Sequence, residues 1–209
     1  MKKYLILFVF SCLAAIVATA QVQEETPNAK QARRIFNTAY ERVFGPQGAK
    51  LSYDVNIIGL YKTRGTITFK GKKKRFSDER VDSWNDGTVS YMAYRKKKHV
   101  EIYDGKTGKK DKYSGKFKFS LDDFNYSVAT HQEGLMLTLK QKKKAKGTIK
   151  EVQALVTQGS YTPIRLRIKV AFFWTTIKIS DFHSGDIDDS VFVFPKSEYA
   201  SGWKYIDKR

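Results

Sequence analysis

The residues best suited to bind a metal or move a proton are three histidines, His99, His131 and His183, and four carboxylates, Asp181, Asp186, Asp188 and Asp189. A metal centre or a catalytic triad needs such side chains to converge. The histidines are widely spaced, each among residues that read as turns or polar strand faces, so neither chemistry is expected. The acidic group lacks the regular ligand spacing of a calcium loop and surrounds Ser184-Gly185, which reads as a solvated turn. A hydrolase built from Asp181, His183 and Asp186 would need the three to meet in a cleft. Gly105-Lys106-Thr107 ends like a phosphate-binding loop, but Val100 stands where that motif requires a glycine, so it reads as a hairpin turn. No enzymatic activity, cofactor or metal is expected.

Lysine supplies the other strong chemical signal. The formal charge is +18, with runs at Lys72-Lys73-Lys74, Arg95-Lys96-Lys97-Lys98 and Lys142-Lys143-Lys144, all expected between strands. Such a surface attracts polyanions. Nucleic acid is not the expected partner: stacking platforms would need aromatics interleaved with the basic residues, and here aromatics mostly share strand parity with aliphatics. Lys2 and Lys3 precede an apolar run from Tyr4 to Val17 and then Ala18-Thr19-Ala20, the pattern of a secretory signal peptide over residues 1–20. Its removal leaves 37 basic and 21 acidic residues and takes away Cys12, the only cysteine. Disulfides and thiolate chemistry are thereby excluded from the mature chain, and the partner expected for the basic surface is an anionic envelope surface.

The elements that would carry these residues are one helix followed by strands. Thr26-Pro27-Asn28 offers a cap, and Ala32, Ile35, Phe36, Ala39, Tyr40, Val43 and Phe44 recur at the spacing of one helical face, closed by Gly45-Pro46. From Leu51 onward about ten strands are expected, including Phe117 to Leu121 and Val191 to Phe194, with Asn85-Asp86-Gly87 as a hairpin turn. Alternation is cleanest from Pro163 to Val170, where Ile164, Leu166, Ile168 and Val170 oppose Arg165, Arg167 and Lys169. Past Ala171 the phase slips, since Phe173, Ile177 and Ile179 take the parity that carried charge. This predicts a bulge or tight turn near Phe172 to Trp174. The mature chain, residues 21–209, is expected to form one domain: a mainly β (α+β) fold whose strongly curved antiparallel sheet makes an incomplete, half-barrel structure covered by the N-terminal helix.

Aromatic residues make up 14% of the chain, more apolar surface than one helix of about fifteen residues can cover. The expected consequence is an apolar cavity that takes acyl chains. Its candidate lining is Ile67, Phe69, Val89, Tyr91, Phe117, Phe119, Leu137, Leu166, Ile168, Val170, Phe172 and Trp174. Ile35, Phe36, Tyr40 and Phe44 are the candidate lid, and Lys70, Lys72, Lys73 and Lys74 a basic rim.

The order of motifs resembles the LolA-like periplasmic lipoprotein carriers: signal peptide, amphipathic helix, Gly65-Thr66-Ile67-Thr68-Phe69, Trp84-Asn85-Asp86-Gly87 leading to Tyr91, and a late Phe192-Val193-Phe194-Pro195. The resemblance covers nearly all of the mature chain, through short motifs. It implies a half-barrel with a helical lid that shelters the acyl chains of lipoproteins between inner and outer membrane. It also implies a periplasmic location and an inner-membrane lipoprotein release complex as partner. One departure stands out. The family's Arg-Pro pair, whose arginine helps hold the closed, ligand-free state, is replaced by Gly71-Lys72, leaving Lys70 or Lys72 as the nearby cation. The alternative is an envelope lipid- or glycolipid-binding sensor or adaptor of the same fold, acting through its basic surface.

Overall fold

The computed structural model describes residues 25–57, 61–106 and 120–209; the expected signal peptide and the candidate residues Phe117 and Phe119 lie outside the described residues. The first element is helix α1 (Pro27–Phe44). Thr26 caps it: the Thr26 hydroxyl accepts from the Ala29 N–H at 3.2 Å and its carbonyl from Lys30 at 2.9 Å, satisfying donors that have no partner within the helix. Ala32, Ile35, Phe36, Ala39 and Val43 form its buried stripe. The Gly45 N–H closes the last turn on the Glu41 carbonyl at 2.8 Å, and Pro46 prevents continuation.

Twelve strands follow among the described residues: β1 (Ala49–Ile57), β2 (Tyr61–Lys70), β3 (Lys73–Asp78), β4 (Val81–Asn85), β5 (Val89–Tyr94), β6 (His99–Asp104), β7 (Phe124–His131), β8 (Gly134–Gln141), β9 (Ile149–Val156), β10 (Pro163–Val170), β11 (Phe173–Ser184) and β12 (Lys204–Asp207). Their hydrogen-bonded order is β12-β6-β5-β4-β3-β2-β1-β11-β10-β9-β8-β7. β2 to β6 pair antiparallel in succession, as do β7 to β11, while β12 joins β6 in parallel. The order ends on different strands, so the sheet is unclosed. Among the described residues the protein is mainly β, with one α-helix, near the N-terminus, and an open sheet, the class expected from the sequence.

Three details differ from expectation. β3 occupies much of the basic run assigned to a loop, because the turn after Lys70 needs only Gly71 and Lys72, with Gly71 at φ +55°. Val191 to Phe194 is no strand: residues Asp189–Phe192 form a 3-10 turn, and the Asp188 carboxylate accepts from the Ser190 N–H at 2.7 Å to cap it. Leu121 begins another 3-10 turn, Leu121–Asp123.

The chain divides into two compact units. Of the described residues, one comprises 25–40, 54–57, 61–62 and 120–179; the other comprises 41–53, 63–106 and 180–209. In the first, β7 to β10 and the start of β11 form an antiparallel run. Its register explains the phase slip. Val170 pairs with Phe173 across a two-residue turn, so even positions of β10 oppose odd positions of β11: Leu166 meets Ile177 and Ile168 meets Thr175. The turn is Ala171-Phe172, with Ala171 at φ +52°. In the second unit, β2 to β6 and β12 carry the 3-10 turns Asp189–Phe192 and Lys196–Tyr199.

Candidate functional site

Within the first unit, cross-strand pairing sorts side chains into two faces. Tyr126, Leu139, Val152, Ile168 and Thr175 make one row, and Val128, Leu137, Ala154, Leu166 and Ile177 the next. Leu137, Leu139, Val152, Ile168 and Ile177 are buried, and Leu166 retains 9% exposure. The helix lies on this face, because the Phe36 ring meets Tyr126 edge-on at 6.0 Å. Burial raises the Tyr126 phenol well above its usual range, although the adjacent Arg33 opposes the rise. Apolar strand positions and the apolar stripe of α1 therefore meet.

The start of α1 is fastened to β7, the last strand in the sheet order. The Asn28 side-chain amide donates to the Val128 carbonyl at 2.9 Å, and its oxygen accepts from the Val128 N–H at 3.0 Å. One side chain thus occupies both backbone groups that a further strand would have used. Arg33 adds a second clasp: it pairs with Glu25, reaches Asp122 at 3.6 Å, and lies over the Tyr126 ring at 4.4 Å.

The opposite face of these strands is polar. Thr138, Gln153, Arg167 and Thr176 form one row, and Lys140, Glu151, Lys169 and Trp174 another. Arg167 donates to Gln153 at 3.0 Å and stacks over Trp174 at 4.5 Å; the Lys169 ammonium is 5.8 Å from the same ring. Trp174 therefore sits opposite Leu166 and Ile168, not among them. Phe172, at the turn, is 90% exposed, and Val170 is half-buried. The expectation that aromatics at this corner line the interior is corrected by turn and register: Phe172 lies past the last strand pair, and Trp174 pairs with Lys169 on the polar face.

In the second unit, Ile67 and Phe69 are buried, with Ile67 opposite Phe76 in the face that also holds Ser83 and Met92. Phe44, in the last turn of α1, meets Phe69 edge-on at 4.7 Å, and Tyr53 stacks on Phe76 at 5.8 Å. Val89 and Tyr91 belong to the other face, because Tyr91 opposes Trp84, and Trp84 opposes Arg75. Strand parity thus divides the expected lining residues of this unit between two faces.

That other face is covered by the end of the chain. Trp84, Ala93, Val100 and Phe194 form a buried cluster with Tyr91, Tyr199 and Trp203 against it. Phe194 stacks on Tyr91 at 4.4 Å and meets Trp84 edge-on at 5.2 Å. Two motifs about a hundred positions apart therefore meet in one core. Beside them lies Asp82, buried, accepting from Ser77 at 2.7 Å, Arg75 at 3.0 Å and Arg95 at 2.7 Å; Arg75 also lies over Trp84 at 3.9 Å. Burial alone would raise the Asp82 carboxyl, but the hydrogen bonds from Ser77, Arg75 and Arg95 outweigh it and hold the group below its usual range. Tyr199 beside it is pushed up to about 12, first by burial and then by the Asp82 charge.

The basic rim is partly consumed by ion pairs. Lys70 donates to the Ile187 carbonyl at 2.7 Å and pairs with Asp189 at 2.9 Å, while Lys73 pairs with Asp189 at 2.7 Å. Lys72 is exposed and Lys74 half-buried. The acidic group is spent likewise: Asp188 caps a turn and Asp189 answers two lysines, while Asp181, within β11, and Asp186, just after it, have φ near +50°. Among the described residues, no three His, Cys, Asp or Glu side chains gather to hold a metal ion.

Of the candidate residues, Ile35, Phe36, Ile67, Phe69, Leu137, Leu166 and Ile168 are buried, while Tyr40 and Phe44 are half-buried. Sequence reasoning missed Asn28, whose signal was hidden by its ordinary place beside a helix cap. It also missed Asp82, the one charged residue of β4, beside Val81 and two residues before Trp84.

No protein-family model matches the chain, and no curated protein matches it in sequence. Among solved structures, an uncharacterized conserved protein from Thermus thermophilus is similar over 85% of this chain and 99% of its own, with a TM-score of 0.58 and 7% identity. That likeness shows the fold alone. Two further likenesses have TM-scores below 0.5 and carry no argument. One is a putative outer membrane lipoprotein-sorting protein domain from Vibrio parahaemolyticus (0.41, 8% identity, 82% of this chain and 99% of that one). The other is a LolA superfamily protein from Nitrosomonas europaea (0.36, 12% identity, 78% and 97%).

Proposed function

We propose that this chain is an exported, non-enzymatic carrier that shelters lipid or lipoprotein acyl chains between the α1 stripe and the apolar face of β7 to β10. The observation that carries the reading is the Phe36 ring of the helix against Tyr126, on the sheet face where Leu137, Leu166 and Ile168 are buried as Ile35 is on the helix, with the helix start fastened by Asn28. A helix held at its start and packed by apolar contact can be displaced without breaking the strand ladder. Each acyl methylene moved from water into such a site contributes ~0.8 kcal/mol, enough for several chains to be held without a covalent bond. The order of motifs along the chain supports a lipoprotein as cargo. In the same reading the protein works in the periplasm, after removal of residues 1–20, and receives its cargo from an inner-membrane release complex. Lys70 is the counterpart of the family's absent arginine, through its bonds to Ile187 and Asp189.

Native mass spectrometry of the mature protein purified under mild conditions tests this. The expected result is a population carrying diacyl lipid or lipoprotein, which Leu166→Glu removes. A protein that emerges empty and takes up neither diacyl lipid nor a lipidated peptide refutes the carrier.

A further inference from the structure

The β10–β11 turn presents an arrangement that acyl-chain binding does not require. Phe172, in the two-residue turn, is 90% exposed, and the adjacent Phe173, first residue of β11, is 66% exposed. Single apolar residues on a surface are ordinary, but adjacent phenylalanines held out at a turn are, among the described residues, an apolar point without a covering element. The segment beside the tip is cationic. The Ala171 N–H donates to the Thr148 carbonyl at 3.3 Å, which ties the turn to the β8–β9 connection. Exposed Lys143, Lys144 and Lys146 lie in that connection and exposed Lys150 just after it. Lys169 and Arg167 flank Trp174, one residue past the tip. Among the described residues, the acids at this end of the strands are Asp122, Asp123 and Glu151; Asp122 is paired with Arg33 at 3.6 Å, and Glu151 accepts from Gln153 at 2.7 Å.

We infer that the Phe172-Phe173 tip is a docking point for an anionic phospholipid bilayer, with the two rings entering the headgroup boundary and the lysine collar on the lipid phosphates. A side chain nine-tenths exposed is convex, a shape that a soft bilayer interface accepts and that needs a matching groove on a folded partner. Apolar rings such as phenylalanine bury at the headgroup boundary, and basic residues near an anionic leaflet strengthen partition by about fivefold each. Apolar insertion and charge attraction together supply the two signals that stable peripheral attachment needs. The inference stands apart from the carrier function, since the tip lies outside the face covered by α1.

Co-sedimentation with vesicles tests it, using the mature chain with equal parts phosphatidylglycerol and phosphatidylethanolamine, or with phosphatidylcholine alone. The parent should bind the anionic vesicles and largely ignore the neutral ones. Phe172→Ser/Phe173→Ser should weaken binding about tenfold, and Lys143→Glu/Lys144→Glu by at least that much. Both variants alter exposed side chains, and an unchanged thermal midpoint verifies that they fold. Diacyl-lipid uptake measured on the same variants should be unaffected, which separates failure of docking from failure of the carrier. A phenylalanine variant that binds as well as the parent, or a parent that ignores anionic vesicles, overturns the inference. So does a parent that dimerises through the tip and ignores vesicles, which would assign the turn to a second copy of the chain.

Discussion

In β7 to β10 the charged residues opposite α1, Arg167 and Lys169 among them, remain half-exposed and share their face with a single indole, Trp174. In β3 to β6 both faces are covered: Phe76 and Met92 are buried on one, and Trp84, Ala93 and Val100 on the other, beneath Phe194 and Tyr199. A strand run with one wet face stands by one apolar contact, whereas one covered on both sides is part of a permanent core. The difference sets a single apolar contact at α1 against a unit whose other strand face is closed by Phe194 and Tyr199.

The strongest way to break this comparison is to remove one indole from each region. Trp84→Ala should cost about 3–5 kcal/mol of unfolding free energy, as expected for a buried aromatic that leaves a void. Trp174→Ala should cost under about 1 kcal/mol, because its partners are half-exposed cations. Equal losses in denaturant titrations would erase the distinction.

Next in size is a charge test across a single strand. Leu166→Glu places a carboxylate against Ala154 and Ile177 and should cost about 3 kcal/mol, while Arg167→Glu should stay within about 1 kcal/mol. The reverse outcome would invert the two faces of β10.

The covered region also contains a charge, which sharpens the contrast. Asp82→Asn should cost about 2–3 kcal/mol by leaving Arg75 and Arg95 without their buried counter-ion. Because the folded carboxyl titrates below its unfolded value, its contribution is complete above about pH 4 and declines as pH falls through the lower folded value. The parent should therefore lose stability on acidification below about pH 4 more steeply than Asp82→Asn, as followed by thermal melts.

The smallest effect concerns the clasp on α1. Asn28→Ala should cost about 1 kcal/mol and speed amide exchange at Val128 well beyond the exchange at Leu139. Unchanged exchange at Val128 would mean that the helix start is held by Arg33 instead.

Legibility followed the apolar pattern. The stripe from Ala32 to Val43 and the alternation from Pro163 to Val170 could be read directly, because each periodicity has one low-energy way to bury itself. Lys73 to Asp78 escaped notice as a strand because its charges are structural: Arg75 packs over Trp84, while Phe76 and Asp78 are buried. Val191 to Phe194 was misread because two phenylalanines at period two suit a strand as well as a 3-10 turn capped by Asp188. The grouping of Val89 and Tyr91 with Ile67 and Phe69 failed for another reason. Strand parity specifies which residues share a face within one strand, but the register between strands is needed to match faces across the sheet.

The sequence by itself determined the helix with its caps, the predominance of strands, and which side of β10 is greasy, since these follow from local spacing. Tertiary structure alone decided that the slip after Ala171 is a two-residue turn exposing Phe172 and Phe173, that Asn28 closes the edge of β7, and that Asp82 is buried between two arginines. Each of these depends on segments brought together from afar, and pairing between distant segments is set by the whole fold.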